Sequence, residues 1–209
     1  GLAASFALTA TDPEGDALTY SAQGLPAGLT VNSATGVISG TPSSAALSTV
    51  TATATDTGGL SGSRTFSVRV TANVALGGTA TQVSTLDVGL DLSASQAIDG
   101  DSNGDFEAFT LSHTGLSAEA WWEIDLGARY ELSRIELFNR TDCCAESLQN
   151  FHVLVSDTPF ASTSLAATQA QPGVLDIAQA GVAPVRTTLA LGRSGRFVRV
   201  QLSASDYLQ

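Results

Sequence analysis

This chain of 209 residues has no methionine and no lysine, and all nine of its cations are arginine. Two cysteines, two histidines and six prolines are further scarcities, and each bounds what the chain can be. Nine cations against 20 carboxylates leave a formal net charge of −11, which disfavours nucleic acid and anionic membrane surfaces as partners. No stretch approaches ~20 consecutive apolar residues, so no transmembrane helix and no membrane insertion are expected. No signal-peptide pattern is visible. The chain opens Gly1-Leu2-Ala3-Ala4 without Met, as expected of a piece cut from something longer. A Gly-rich phosphate loop and a zinc-ligand pattern are both missing. Two cysteines permit one bridge at most.

What is present reads as all-β. The hydrophobic share is 43%, enough for a real core, and there are 20 glycines to turn the chain. Short β-branched runs recur between turn signals. In residues 1–72 the strands read as Ser5–Ala10, Leu18–Ala22, Thr30-Val31, Val37–Gly40, Ser48–Ala54 and Ser63–Val70. Turns at Asp12–Asp16, Asn32–Gly36 and Asp56–Gly59 separate them. Such regular spacing argues for a β-sandwich. Asp12, Glu14, Asp16 and Asp56 are carboxylates suited to a hard cation, or else solvated turn residues. Thr71–Val74 reads as a linker, and a second unit runs from 75 to 209. It carries 16 of the 20 acidic residues, all but Asp12, Glu14, Asp16 and Asp56. Its strands read as Ala120–Leu126 with a stop at Gly127, Leu132–Phe138, Phe151–Asp157, Arg186–Leu191 and Arg196–Leu202. Residues 161–185 show no strong period.

The second unit is organised around Asn139-Arg140-Thr141-Asp142-Cys143-Cys144-Ala145-Glu146-Ser147, a loop between two strands. Neighbouring Cα atoms lie about 3.8 Å apart across a trans peptide, below the usual disulfide range of roughly 4.4–6.8 Å. A Cys143–Cys144 bond would therefore close a small ring, a stiff apolar knob; two free buried thiols are the alternative. The bonded form needs an oxidising compartment, which points to secretion or the cell surface. Arg140 beside it is a fork of donors that Asp142 can hold in place. An apolar plate next to oriented donors suits the face of a sugar. Ala97–Asp105 is a Gly-punctuated acidic loop able to wrap a cation, although it is not an EF-hand, because the twelfth position counted from Asp99 is Thr110 and not Glu. His152 lies inside an alternating strand and reads as structural.

These residues carry two resemblances. Asp12-Pro13-Glu14-Gly15-Asp16-Ala17-Leu18-Thr19-Tyr20, Leu25-Pro26-Ala27-Gly28-Leu29 and Gly36–Pro42 resemble the Ig- and cadherin-like repeats of bacterial surface proteins. Those repeats mostly space and connect other modules. Arg140-Thr141-Asp142 followed by Cys143-Cys144 resembles the F-type lectins, or fucolectins, whose motif is His, twenty-six residues, Arg-x-Asp, four residues, then Arg or Lys. Twenty-six residues separate His113 from Arg140, and Ser147 stands where the motif has its cation.

The resemblance implies a discoidin-like β jelly roll over most of residues 80–209, following the Ig/cadherin-like sandwich. It implies a module that binds L-fucose or a fucosylated glycan through His113, Arg140, Asp142, Cys143, Cys144 and Phe106, with Phe109 as the competing aromatic. Phe106 is placed there by alternation along residues 106–114. It also implies calcium, with Gln96, Asp99, Asp101 and Thr110 as ligands. The family adds an acidic ligand from a last strand beyond the Tyr-Leu, and this chain stops at Tyr207-Leu208-Gln209, so calcium is expected to bind weakly. Ser147 removes one charge-assisted bond worth about 1.5–3 kcal/mol. A module that is purely structural or adhesive, with a weakened sugar site, is the alternative, as is an accessory domain of a glycan-degrading enzyme. An enzyme is not expected. Ser112 and His113 are sequence neighbours, poorly placed for a triad with Asp142, and only Asp142 and Glu146 suggest a glycosidase pair. The Asn139-Arg140-Thr141 sequon is a caution, since a glycan there would crowd the pocket.

Overall fold

The computed structural model of the chain describes residues 3–44 and 46–209. Gly1, Leu2 and Ala45 fall within the first sandwich read from the sequence but lie outside the described residues. The chain divides into two compact units, Gly1–Asn73 and Val74–Gln209.

The first unit holds strands β1 (Ala4–Ala7), β2 (Thr19–Gln23), β3 (Leu29–Val31), β4 (Val37–Gly40), β5 (Ala46–Thr55) and β6 (Ser61–Val70). They form two antiparallel sheets, in the orders β1-β4-β3 and β2-β5-β6. Strand alternation puts Val50 and Ala52 of β5 inside, with Leu29 and Ile38 buried on the other sheet. The turns form for identifiable reasons. Asn32 Oδ1 accepts from the amides of Ala34 and Thr35, and Gly36 takes φ 69°. A Cβ at Gly36 would stand 3.1 Å from the Tyr20 ring, so this turn packs directly on β2 of the opposite sheet. Asp12 Oδ1 accepts from the amides of Glu14 and Asp16, and Asp56 Oδ1 from the amide of Leu60. Among the described residues, no three carboxylate, imidazole or thiol side chains converge as a metal cluster.

The second unit holds β7 (Thr79–Gln82), β8 (Trp121–Phe138), β9 (Gln149–Ser156), the one-turn helix α1 (Leu165–Gln169), β10 (Leu175–Val182) and β11 (Arg186–Leu202). Its antiparallel sheet has the order β10-β9-β11-β8-β7. Gly127 is not a stop. It takes φ 78° inside β8, where residues 126–129 lie opposite Arg196 alone before pairing resumes at Tyr130 and Gly195. A four-against-one bulge lets one strand bend where the sequence reads two. The runs at 186–191 and 196–202 are likewise one strand, β11, paired with β8 from Arg186–Phe138 to Gln201–Trp121. Residues 161–185, which show no period, hold α1 and β10. The Ala, Gln and Gly of β10 give it little β-branched bulk to reveal it.

Ile124, Leu126, Phe151, Val153, Val155, Val198, Val200 and Leu202 form the core under this sheet. Their alternates on the other face, Arg199 and Gln201, are also buried, beneath the 158–171 segment. Arg199 donates through Nε and Nη2 to Glu123 Oε2 and through Nη1 to the Ser162 carbonyl, with Phe160 4.5 Å from its Cζ. A charge this deep is tolerated because its donors are matched. Both faces of the sheet are therefore fixed, and the loop leaving β8 starts from a rigid edge.

Candidate functional site

The loop after β8 is built on Asn139, which is 1% exposed. Its amide nitrogen donates to the carbonyls of Ala145 (3.0 Å) and Ala183 (2.8 Å), and its side-chain oxygen accepts from the Arg140 amide at 2.8 Å. The Asn139 backbone amide donates to the Val185 carbonyl. One buried side chain thus ties both ends of the 139–147 loop to the turn between β10 and β11. From the other side comes the acidic loop. The Thr141 amide donates to the Gly104 carbonyl at 2.9 Å, and a Cβ at Gly104 would stand 2.4 Å from the Asn139 carbonyl oxygen. Only glycine permits that approach.

Arg140 is clamped. Its Nε donates to Asp142 Oδ1 (2.7 Å) and its Nη2 to Oδ2 (2.9 Å). Asp142 Oδ1 also accepts from the Phe106 amide. The hydrogen-bonded guanidinium holds the Asp142 carboxyl far below the usual carboxylate range, and Asp142 in turn raises the pKa of Arg140. The guanidinium lies over the Phe106 ring, 4.4 Å from its centroid, a cation–π contact. This leaves Nη1 as the nitrogen Asp142 does not use.

His113 is 5% exposed, its ring edge-on to Phe106 and Tyr207 at centroid distances of 6.2 and 5.5 Å. Its Nδ1 lies 2.7 Å from the Thr114 carbonyl, an acceptor, so Nδ1 carries the proton and Nε2 the lone pair. Burial pushes its pKa below 6.5, and the charge of Arg140 pushes the same way; hydrogen bonds to Thr114 and Gln209 oppose them. The neutral ring is an acceptor beside a fixed cationic donor. Cys143 and Cys144 are disulfide-bonded and exposed, with Cys144 in the left-handed region at φ 57°. The free-thiol alternative is thereby set aside.

The structure brings His113, Arg140, Asp142 and Phe106 together, with the Cys143–Cys144 plate on the same loop. Phe106 arrives differently from the expectation. Residues 106–114 are not a strand; Asp105 accepts from the Glu107 amide and Phe106–Ala108 form a 3-10 turn ending at Phe109, φ 58°. Phe109 is 48% exposed. Ser147 is buried in its own short turn, so the position has no cation to offer. No Ser112–His113–Asp142 relay is assembled, because Nδ1 serves Thr114 and both Asp142 oxygens serve Arg140.

The four residues expected to bind calcium each make a hydrogen bond within their own segment. Gln96 donates to Asp91, Asp99 accepts from the Asp101 amide, Asp101 from the Asn103 amide, and Thr110 donates to the Asn103 carbonyl. Gln96 is held through its nitrogen, and Asp99 and Asp101 each use one carboxylate oxygen, so every one of the four keeps an oxygen that a hard cation could take. His152, read as structural, bonds Asp176 on β10 at 2.7 Å, away from these groups in sequence and partners. Sequence reasoning missed Asn139 as the loop's anchor and Gln209, whose side chain accepts from Arg140 Nη1 at 2.8 Å and donates to the Cys144 carbonyl at 3.0 Å.

Residues 96–200 match the NedA-like, galactose-binding domain family, and residues 1–71 match the Putative Ig domain family. Fucolectin-5 of Anguilla japonica is 32% identical over 142 residues, 66% of this chain and 71% of its own length. The chain belongs to the fucolectin family. Fucolectin-1 of Anguilla japonica is 38% identical over 89 residues, 41% of this chain and 49% of that protein. The chain thus spans about half the length of several curated fucolectins it matches. A Streptococcus pneumoniae fucose binding module superposes with a TM-score of 0.56 at 28% identity, covering 66% of this chain and 92% of the module. The second unit is accordingly a discoidin-like jelly roll and the first an Ig-like domain. In this chain the His-x26-Arg-x-Asp spacing corresponds to one cluster around a bidentate ion pair.

Proposed function

We propose that the second unit is a carbohydrate-binding module for L-fucose or a fucosylated glycan, carried on a larger secreted or cell-surface protein, and that it performs no catalysis. One observation carries this reading: the Arg140 guanidinium and the His113 ring both pack against Phe106, so a donor that Asp142 leaves unused and an acceptor nitrogen stand together near an exposed disulfide. Sugar recognition needs that mixture. Arg140 donates to the ring oxygen, and His113 accepts from an axial hydroxyl. Fixed partners distinguish axial from equatorial hydroxyls because the two positions differ by more than hydrogen-bond tolerance. The disulfide packs under the pyranose ring, and the edge of Phe106 takes the C6 methyl, a contact worth about 1 kcal/mol. Asp142 orients Arg140 and does not touch sugar. A carboxylate held so firmly ionised is a poor general acid, which argues against a glycosidase.

Calorimetric titration of L-fucose into the wild type and Arg140→Ala tests this. Loss of a charge-assisted bond should weaken binding by about 1.5–3 kcal/mol, and equal binding by both proteins would remove Arg140 from the site. Ser147 favours a second reading, a structural or adhesive module with an altered site. A glycan array that retains fucosylated glycans supports the lectin, and one that retains nothing supports the adhesive module.

A further inference from the structure

Gln209 takes the Arg140 donor that the fucose reading assigns to the sugar. The segment that carries it is anchored beside His113: the Leu208 amide donates to Thr114 Oγ1 at 2.8 Å, the Thr114 amide donates to the Leu208 carbonyl at 2.9 Å, and the Tyr207 ring lies against the His113 ring. From that anchor the Gln209 carboxamide spans the pocket. Its oxygen takes the Nη1 donor that Asp142 leaves free, and its nitrogen reaches the Cys144 carbonyl next to the disulfide. Gln209 also acts to raise the His113 pKa, as an accepting oxygen near the ring does, against the larger lowering by burial.

We propose that Gln209 is an internal stand-in for the ligand, displaced when sugar binds, and that it sets the affinity and hydroxyl selectivity of the site. The proposal rests on the fucose reading above and adds the residue that governs it. Arg140 does not need Gln209 for its orientation, because Asp142 holds the guanidinium through two other nitrogens. The stand-in also fits imperfectly. An amide oxygen only accepts, whereas the neutral His113 presents a lone pair at Nε2. Gln209 therefore satisfies Arg140 and leaves His113 without a donor. The sugar brings both, a ring oxygen that accepts from Arg140 and an axial hydroxyl that donates to His113, so the exchange gains a hydrogen bond. A ligand whose hydroxyl at that position is replaced by fluorine or a methyl ether can accept but cannot donate, and it has no such advantage over the carboxamide.

The test uses the 209-residue chain. L-Fucose is titrated into wild type, Gln209→Ala and Gln209→Glu. Emptying the pocket should tighten binding by roughly tenfold. A carboxylate, which pairs with Arg140 more strongly than an amide does, should weaken it. Binding by Gln209→Ala that equals or falls below a measurable wild-type affinity overturns the proposal. A second measurement needs no sugar: the Arg140 guanidinium NMR signals of the ligand-free protein should shift in Gln209→Ala, because Nη1 loses its acceptor. Unchanged signals overturn the contact itself. If they shift but no form binds L-fucose, the fucose reading fails, and the exchange with it, while the contact stands.

Discussion

At the scale of single residues, the site depends on protonation at one atom, Nε2 of His113. Burial and the neighbouring Arg140 hold its pKa below 6.5, so the ring is a neutral acceptor at physiological pH. As pH falls below 6.5, the unfolded chain takes up this proton before the folded one does. That costs folding stability until the folded pKa is passed. The same proton removes the acceptor and sets a second positive charge beside Arg140. Fucose affinity is therefore expected to be flat at neutral pH and to fall on acidification, as read by calorimetry across a pH series. Asp142 does not contribute to that fall, because its pKa is already lowered and it stays ionised. His113→Gln should weaken binding and flatten the profile; an acid loss that survives this change would assign the effect elsewhere. The cysteines give a second prediction. Their bond joins adjacent residues and closes almost no chain, so its reduction should leave the thermal midpoint nearly unmoved. Sugar affinity should nonetheless drop by several-fold, about 1 kcal/mol of apolar contact. A large loss of stability with unchanged affinity would make the pair structural.

At the scale of elements, two loops punctuated by short 3-10 turns carry Phe106, Arg140 and Asp142, and Gly104 and Asn139 lock them together. Gly104→Ala would place a methyl 2.4 Å from a backbone oxygen, which cannot turn aside as a side chain can. The expected outcome is weaker fucose binding together with a lower midpoint in urea. Asn139→Ala strips partners from two carbonyls and one amide, and should destabilise the second unit by at least about 2 kcal/mol. How much of this was legible in the sequence follows the distance over which each contact acts. Arg140, Asp142 and the cysteines lie within five residues, so their chemistry could be read directly. His113 was found through its spacing, although the strand imagined around it is a 3-10 turn and an irregular segment. Gln209 lies 69 residues beyond Arg140, and nothing local in a Tyr-Leu-Gln tripeptide marks it as a pocket residue. The same holds for Gly127. A glycine after an alternating run signals either a stop or a bulge, and only the partner strand decides between them.

At the scale of the whole molecule, every residue of the site belongs to the unit that begins at Val74, and each unit has its own buried residues. Residues 74–209 expressed alone are expected to bind L-fucose as the full chain does; loss of binding by a folded fragment would give the Ig-like unit a part in recognition. Calcium is expected to bind this chain weakly through Gln96, Asp99, Asp101 and Thr110, whose side chains already hold their own segment but keep free oxygens. Added calcium should therefore raise the thermal midpoint by a small amount. No shift at saturating calcium would remove these residues as ligands.

The depth at which Asn139 is buried has an outcome in living cells. Asn139-Arg140-Thr141 is an acceptor sequence for oligosaccharyl transfer, but in the native fold its amide is sealed from any enzyme. Modification there can happen only before the surrounding loops close. In a eukaryotic secretory host, the modified fraction would therefore clock how long each new chain stays open, and the modified chains would be those unable to complete the pocket.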